Sequence, residues 1–298
     1  MKEKKKKRKM MVERGGAVGF KAMLPGLIYY VIFFVIPIAY LIRNSFNRYS
    51  FTELIEETFT LENYTTFFGD PYNVGIFTGS FFMAIGIVLI TIVLAYPLAY
   101  LLARVPSKLT PLLSGIVYLP LLCSAVVTAF GWLTLLSDSG IINQTLMALG
   151  IVDEPVRLMY TRLGVVIAMT QAQLPYMVNS IRAVLQSIDR FVEESAQTLG
   201  ANWANTFFRI TLPLSLPGIA SGSLLVFVGT ISAYVTPMMI GGGRVNTLAS
   251  IIYRQTKVLV NWPLAGAISV VLLIVASLAL FAYNKALESR LLGGGGRR

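Results

Sequence analysis

The sequence predicts an all-α integral membrane protein with six spanning helices, and three observations carry that prediction. Of its 298 residues, 55% are hydrophobic and only 13% charged, whereas a soluble domain carries about 25% charged residues. Fourteen acidic and 25 basic side chains are too few to clothe a soluble body of this size. The charges are also segregated. Six stretches hold no Asp, Glu, Lys or Arg, at 22–42, 71–103, 109–137, 163–181, 210–243 and 258–284. Crossing ~30 Å of hydrocarbon at 1.5 Å per residue takes about 20 residues, and each stretch reaches or nearly reaches that length.

The first stretch follows Lys2, Lys4, Lys5, Lys6, Lys7, Arg8 and Lys9. A signal peptide has an apolar run of about 7–15 residues and a small-residue cleavage site. This run is longer and no such site follows, so an uncleaved first helix is expected. The basic block reads as a cytoplasmic anchor beside anionic lipid headgroups, which accounts for much of the net charge of +11 without nucleic acid. Pro37, Pro97, Pro120, Pro175 and Pro237 lie inside the apolar stretches. Each frees a carbonyl that must be satisfied by packing against neighbours or along a water-filled path. The fourth stretch is the most polar. With the amino terminus inside, eighteen bases fall on the cytoplasmic side and seven outside, so both termini are expected to be cytoplasmic. The organisation is then a basic tail (1–21), a six-helix domain (22–284) and a second tail (285–298).

Several chemistries are excluded. The chain has no His and one Cys, Cys123, so it has no Ser–His–Asp triad, no Cys–His pair and no internal disulfide. No G-x-x-x-x-G-K-[ST] phosphate loop occurs, which removes that route to ATP. The spans hold no acids for ion coupling, which counts against a self-contained secondary transporter and against a membrane enzyme. An energy source is expected on another polypeptide.

The most informative segment is 187–213, between the fourth and fifth stretches. Asp189 can cap a helix whose first turns carry Glu193 and Glu194, as the helix dipole favours. Gly200 ends it, because glycine tolerates the left-handed geometry of a helix end. A second short helix is expected from Asn202 to about Ile210, exposing Trp203, Phe207 and Phe208, with Pro213 and Pro217 punctuating the entry to the fifth span. The segment reads as a polar helix–turn–helix at the cytoplasmic surface.

Here the sequence resembles the permease subunits of binding-protein-dependent ABC importers. Their cytoplasmic signature, E-A-A-x3-G-x9-I-x-L-P, reads Glu194, Ser195, Ala196, Gly200, Ile210, Leu212 and Pro213, with every gap in register and serine replacing the first alanine. The resemblance implies a type I importer permease fold whose coupling helix seats in a separate ABC ATPase subunit, present in two copies. ATP and Mg would be bound there, and the permease itself would carry no cofactor and no catalytic residue. It also implies a second, homologous permease subunit, an extracytoplasmic solute-binding protein and a place in the bacterial inner membrane.

The likeness runs from about Leu24 to Leu280 and resembles the spermidine/putrescine branch. It does so at Gly140-Ile141-Ile142-Asn143, Leu158-Met159-Tyr160-Thr161, Gln173-Leu174-Pro175-Tyr176, Val235-Thr236-Pro237 and Trp262-Pro263. Permeases for iron(III), thiamine, phosphonates, opines and amino-acid-like solutes share much of this frame. Gln171, Gln173 and Asn179 are candidates to line a pathway, since polar groups in spans face the bundle interior. Trp132, Tyr176 and Tyr234 offer aromatic faces to a cation, and Asp138 is a candidate at the entrance. Arg244, Arg254 and Lys257 crowd the last external loop, against the positive-inside bias.

Overall fold

The computed structural model describes residues 23–105 and 108–293, with side chains to Lys285. The basic amino-terminal block and the glycines after residue 293 lie outside the described residues. All long elements are helices: α1 (Met23–Asn44), α2 (Glu62–Gly69), α3 (Pro71–Arg104), α4 (Thr110–Leu122), α5 (Ala125–Leu136), α6 (Ile141–Ala148), α7 (Arg162–Ser187), α8 (Arg190–Thr198), α9 (Trp203–Ile231), α10 (Val235–Gly241), α11 (Leu248–Lys257) and α12 (Trp262–Gly293).

Among the described residues, five segments are long and apolar enough to cross a membrane: α1, α3, 125–148, α9 and the Trp262–Lys285 part of α12. The fourth stretch folds as α7, whose 26 residues reach ~39 Å at helical rise, but its polar residues keep it outside that set. Backbone detail departs from the apolar stretches in four places. Pro120 lacks a donor and crowds the preceding turn. The helix stops at Leu122, and Ser124 caps α5 by accepting from the Val127 N–H at 3.3 Å. The third stretch is thus two helices. The fifth ends at Ile231, with α10 separate beyond it. The sixth runs on as helix to Gly293, into the expected carboxyl-terminal tail. Finally, Pro213 does not interrupt the fifth span. A π turn at Phe207–Thr211 precedes it, in which the Leu212 N–H bonds the Phe207 carbonyl. The same device stands before Pro37, where the Ile36 N–H bonds the Val31 carbonyl. The wider turn makes room where a proline ring would meet the carbonyl four residues back.

The core is built by α3, α7 and α9, with Ile87, Ala95, Ala99, Ala168, Met177, Ile181 and Val226 buried among them. α9 lies close on α7 because Gly218 and Gly222 form a G-x-x-x-G pair, the spacing that brings helix backbones together in lipid. A Cβ at Gly218 would stand 2.9 Å from the Ser180 carbonyl oxygen. By contrast α1 exposes nearly its whole surface and touches the bundle through its last turns on α12. At the end opposite α8, Phe67, Leu248, Ile251, Leu264 and Ile268 pack α2, α11 and α12 together. There Asn63 donates to the Ser45 and Asn47 carbonyls at 2.8 and 2.7 Å.

Candidate functional site

The segment between α7 and α9 folds from its own capping residues. Asp189 accepts from the Phe191 N–H at 3.0 Å and opens α8. α8 closes in a Schellman turn: the Ala201 N–H reaches the Ala196 carbonyl at 3.0 Å and the Gly200 N–H reaches Gln197 at 2.9 Å. Gly200 has φ +90°, a geometry in which any L side chain is strained although open space surrounds it. Asn202 then caps α9, accepting from the Asn205 N–H at 2.8 Å.

Two kinds of surface result. Outward, Phe191, Leu199, Trp203 and Phe208 are 71%, 89%, 61% and 63% exposed, an apolar patch around the Gly200 turn that none of the described residues covers. Inward, the segment is tied to the ends of the core helices. Arg104, in the last turn of α3, makes a 3.2 Å ion pair with Glu193, and the two side chains are only 7% and 13% exposed. Arg104 also donates to the Ile188 carbonyl at 3.1 Å. Thr211, at the end of the π turn within α9, donates to the same Glu193 oxygen at 2.9 Å, and Arg190 donates to the Arg104 carbonyl at 3.0 Å. Nearby, Tyr96 and Ser215 join α3 to α9 at 2.8 Å, and Phe207 is covered by Tyr96, Tyr100 and Trp203.

Of the signature residues, Glu194, Ser195 and Gly200 are exposed on or beside α8, Ala196 is half-buried, and Ile210 and Leu212 are half-buried within α9 at its π turn, with Pro213 exposed. Phe207, expected outside, is half-buried under the tyrosines. Sequence reasoning passed over Glu193 and Arg104 as a pair. The available signal was two adjacent glutamates on one helix, which point ~100° apart and cannot face the same way.

The pathway candidates separate. Trp132 Nε1 donates to Gln171 at 3.2 Å, joining α5 to α7. Gln173 is buried against Gly229 of α9. Tyr176 and Asn179 lie on a bare face of α7 with Ala183 and Gln186. Tyr234 stacks on Tyr253, centroids 5.1 Å apart. Asp138 lines a recess with Arg157 and Tyr160, also at the end opposite α8. A larger recess of about 840 Å³ runs along α3 under Arg162 and Arg244, at the end of the bundle opposite α8. Neither arginine has an ion-pair partner among the described residues.

Helix lengths and apolar composition define the class as a polytopic membrane protein. The chain belongs to the binding-protein-dependent transport system inner membrane component family, whose pattern matches residues 95–293. It is 34% identical over 262 residues to the spermidine/putrescine transport system permease protein PotB of Escherichia coli (strain K12), covering 88% of this chain and 94% of that protein. The PotB of Haemophilus influenzae is 30% identical over 267 residues, covering 90% of this chain and 89% of that protein. In fold, the chain matches a subunit of a bacterial alginate ABC transporter, solved with an alginate pentasaccharide-bound periplasmic protein. The TM-score is 0.77 at 21% identity, over 94% of this chain and 96% of that one.

Proposed function

We propose that the chain is one permease subunit of an ATP-driven polyamine importer, forming the pathway for spermidine or putrescine delivered by an extracytoplasmic binding protein. The observation that carries this reading is the 34% identity to a spermidine/putrescine permease along 88% of the chain. In this reading α7 is a sixth span, its polar flank turned toward a second, homologous permease, with the cargo path between the two. Both termini are cytoplasmic, and Asp138 and the acids of the first external loop face the entrance. α8 and the Gly200 turn seat in a separate ATPase subunit. Phe191, Leu199, Trp203 and Phe208 supply the apolar contact, and Glu194 and Ser195 its polar edge. ATP and Mg act on that subunit, and its closure displaces the seated helix as a rigid body.

One feature favours a second cargo class on the same machinery: Arg162 and Arg244, which line the outer recess with no ion-pair partner among the described residues, suit an anion such as a phosphonate. Uptake of labelled spermidine, putrescine and a phosphonate separates the two, in cells lacking the chain and restored with wild type or Gly200→Asp. The polyamine reading expects ATP-dependent polyamine uptake with wild type. It also expects at least a tenfold loss with Gly200→Asp at equal membrane abundance, because the strained turn no longer presents α8. Polyamine uptake that never depends on the chain refutes the cargo, and wild-type uptake by an assembled Gly200→Asp complex refutes the coupling site.

A further inference from the structure

We infer that Glu193 and Arg104 are positioning residues that key α8 to the inner ends of the core helices, so that a displacement of α8 reaches α3 and α9 together. The inference rests on the coupling reading above and goes beyond it by naming how the movement enters the bundle. One carboxylate oxygen of Glu193 receives both Arg104, at 3.2 Å from α3, and Thr211, at 2.9 Å from α9. Among the described residues the Arg104 guanidinium bonds Glu193 and Ile188, and its Nε has no partner. Among the described residues, its side-chain bonds therefore all go to the segment carrying α8. In return Arg190 caps the carbonyl end of α3.

The charges suit their places. Glu193 sits in the first turn of α8, where the helix dipole favours an anion. Arg104 lies at the carboxyl ends of α3 and α7, where it favours a cation. Both side chains are nearly buried, so water competes weakly for them, and separating them would leave a desolvated charge on each side. Nothing else in the segment is so placed: Glu194, one residue on, is exposed. Pushing on α8 therefore displaces α3 and α9 before it breaks this junction. α3 carries the displacement along its 34 residues to the outer recess at Tyr72 and Gly79.

The test uses the whole transporter, this chain with its partner permease and ATPase subunits, reconstituted in lipid. Cys123 is replaced by serine, and spin labels are placed at Thr78, at the outer end of α3, and at Leu259, before α12. The Thr78–Leu259 distance and ATP hydrolysis are followed with and without ATP, so no cargo is needed. Wild type is expected to show an ATP-driven shift. Glu193→Ala should lose at least two-thirds of that shift while hydrolysing ATP at no less than half the wild-type rate. Glu193→Gln, which keeps an acceptor oxygen for Arg104 and Thr211, should restore most of the shift. A residue needed only for folding would lower assembled complex without separating the two readouts. If Glu193→Ala does not assemble, Thr211→Val removes one arm of the junction and should reduce the shift about twofold. A full shift in Glu193→Ala, or in Thr211→Val where that variant stands in, overturns the proposal. Gly200→Asp, run alongside, keeps the two readings apart. If it abolishes the shift and Glu193→Ala does not, only the junction falls; if wild type shows no shift, the coupling reading falls with it.

Discussion

α9 is held to its neighbours in two chemically opposite ways, at two ends of one helix. Along its length it meets α7 through glycines: a Cβ at Gly218 would stand 2.9 Å from the Ser180 carbonyl, and one at Gly229 would stand 2.8 Å from the Gln173 amide oxygen. Toward its amino-terminal end it is tied through Thr211 to Glu193, and through Glu193 to Arg104. The first contact is a continuous surface of dispersion contacts. Lipid offers helices no hydrophobic reason to associate, and close approach is what remains. The second is a handful of directional bonds, each of which can be removed singly. Seams of the first kind suit helices that move as one body, and junctions of the second kind suit a part that is attached to that body and pushes on it.

The seam is where the largest effect is expected. Gly218→Leu should prevent accumulation of folded protein, because the added side chain meets backbone at Ser180 and the Val184 Cβ at 3.0 Å rather than a side chain free to turn away. Gly218→Ala asks for a shift of a few tenths of an ångström between α7 and α9 and should cost about 1–3 kcal/mol, as overpacking does. Thermal unfolding of the purified protein in detergent checks both. An alanine variant as stable as wild type would break the contrast, since the seam would then have slack.

A polar tie inside the bundle sharpens the contrast at intermediate size. Tyr96→Phe removes the 2.8 Å bond to Ser215 and leaves the ring in place against Phe207. Ser215 keeps its bond to the Leu212 carbonyl at 2.9 Å, so no buried hydroxyl is stranded. The expected loss is about 0.5–1 kcal/mol, below that of a single methyl group forced into the seam. A larger loss than Gly218→Ala would make hydrogen bonds, not close approach, the main support of α9.

How much of this was legible in the sequence depends on whether charge or shape decides it. Where absence of charge decides, the reading was good: α1, α3, α9 and α12 each lie mostly within one apolar stretch, and the Asp189 and Gly200 caps of α8 follow from residue type. Where a proline decides, it was not. Pro120 and Pro213 look alike in sequence, yet the first ends α4 and the second is absorbed by a π turn. Facing was also hidden. Glu193 and Glu194 are chemically identical in sequence, and only the packing of α3 and α9 decides that the first is enclosed and the second open. The pathway candidates separated for the same reason: residue type predicts that a glutamine avoids lipid, but not which helix it turns to.

The smallest effect separates two pairs of the same chemistry. Arg48 and Glu62 stand 3.1 Å apart, as close as Arg104 and Glu193, but their side chains are 59% and 51% exposed. Water and ions screen them, and such pairs contribute about 0–1 kcal/mol. The loop they cross has its own support, with the Arg48 and Glu56 backbones exchanging bonds at 3.2 and 2.9 Å. Arg48→Ala should therefore change stability by less than about 0.5 kcal/mol. Even that should vanish at 1 M salt, where the screening length falls to ~3 Å. Arg104→Ala, at almost the same distance, strands a nearly buried carboxylate and should cost several-fold more, on the order of 3 kcal/mol, with little response to salt. Both are read from the same denaturation series with and without salt. Equal losses for the two arginines would mean that the inner pair is as wet as the outer one, and the junction beneath α3 would then be too loose to transmit a push.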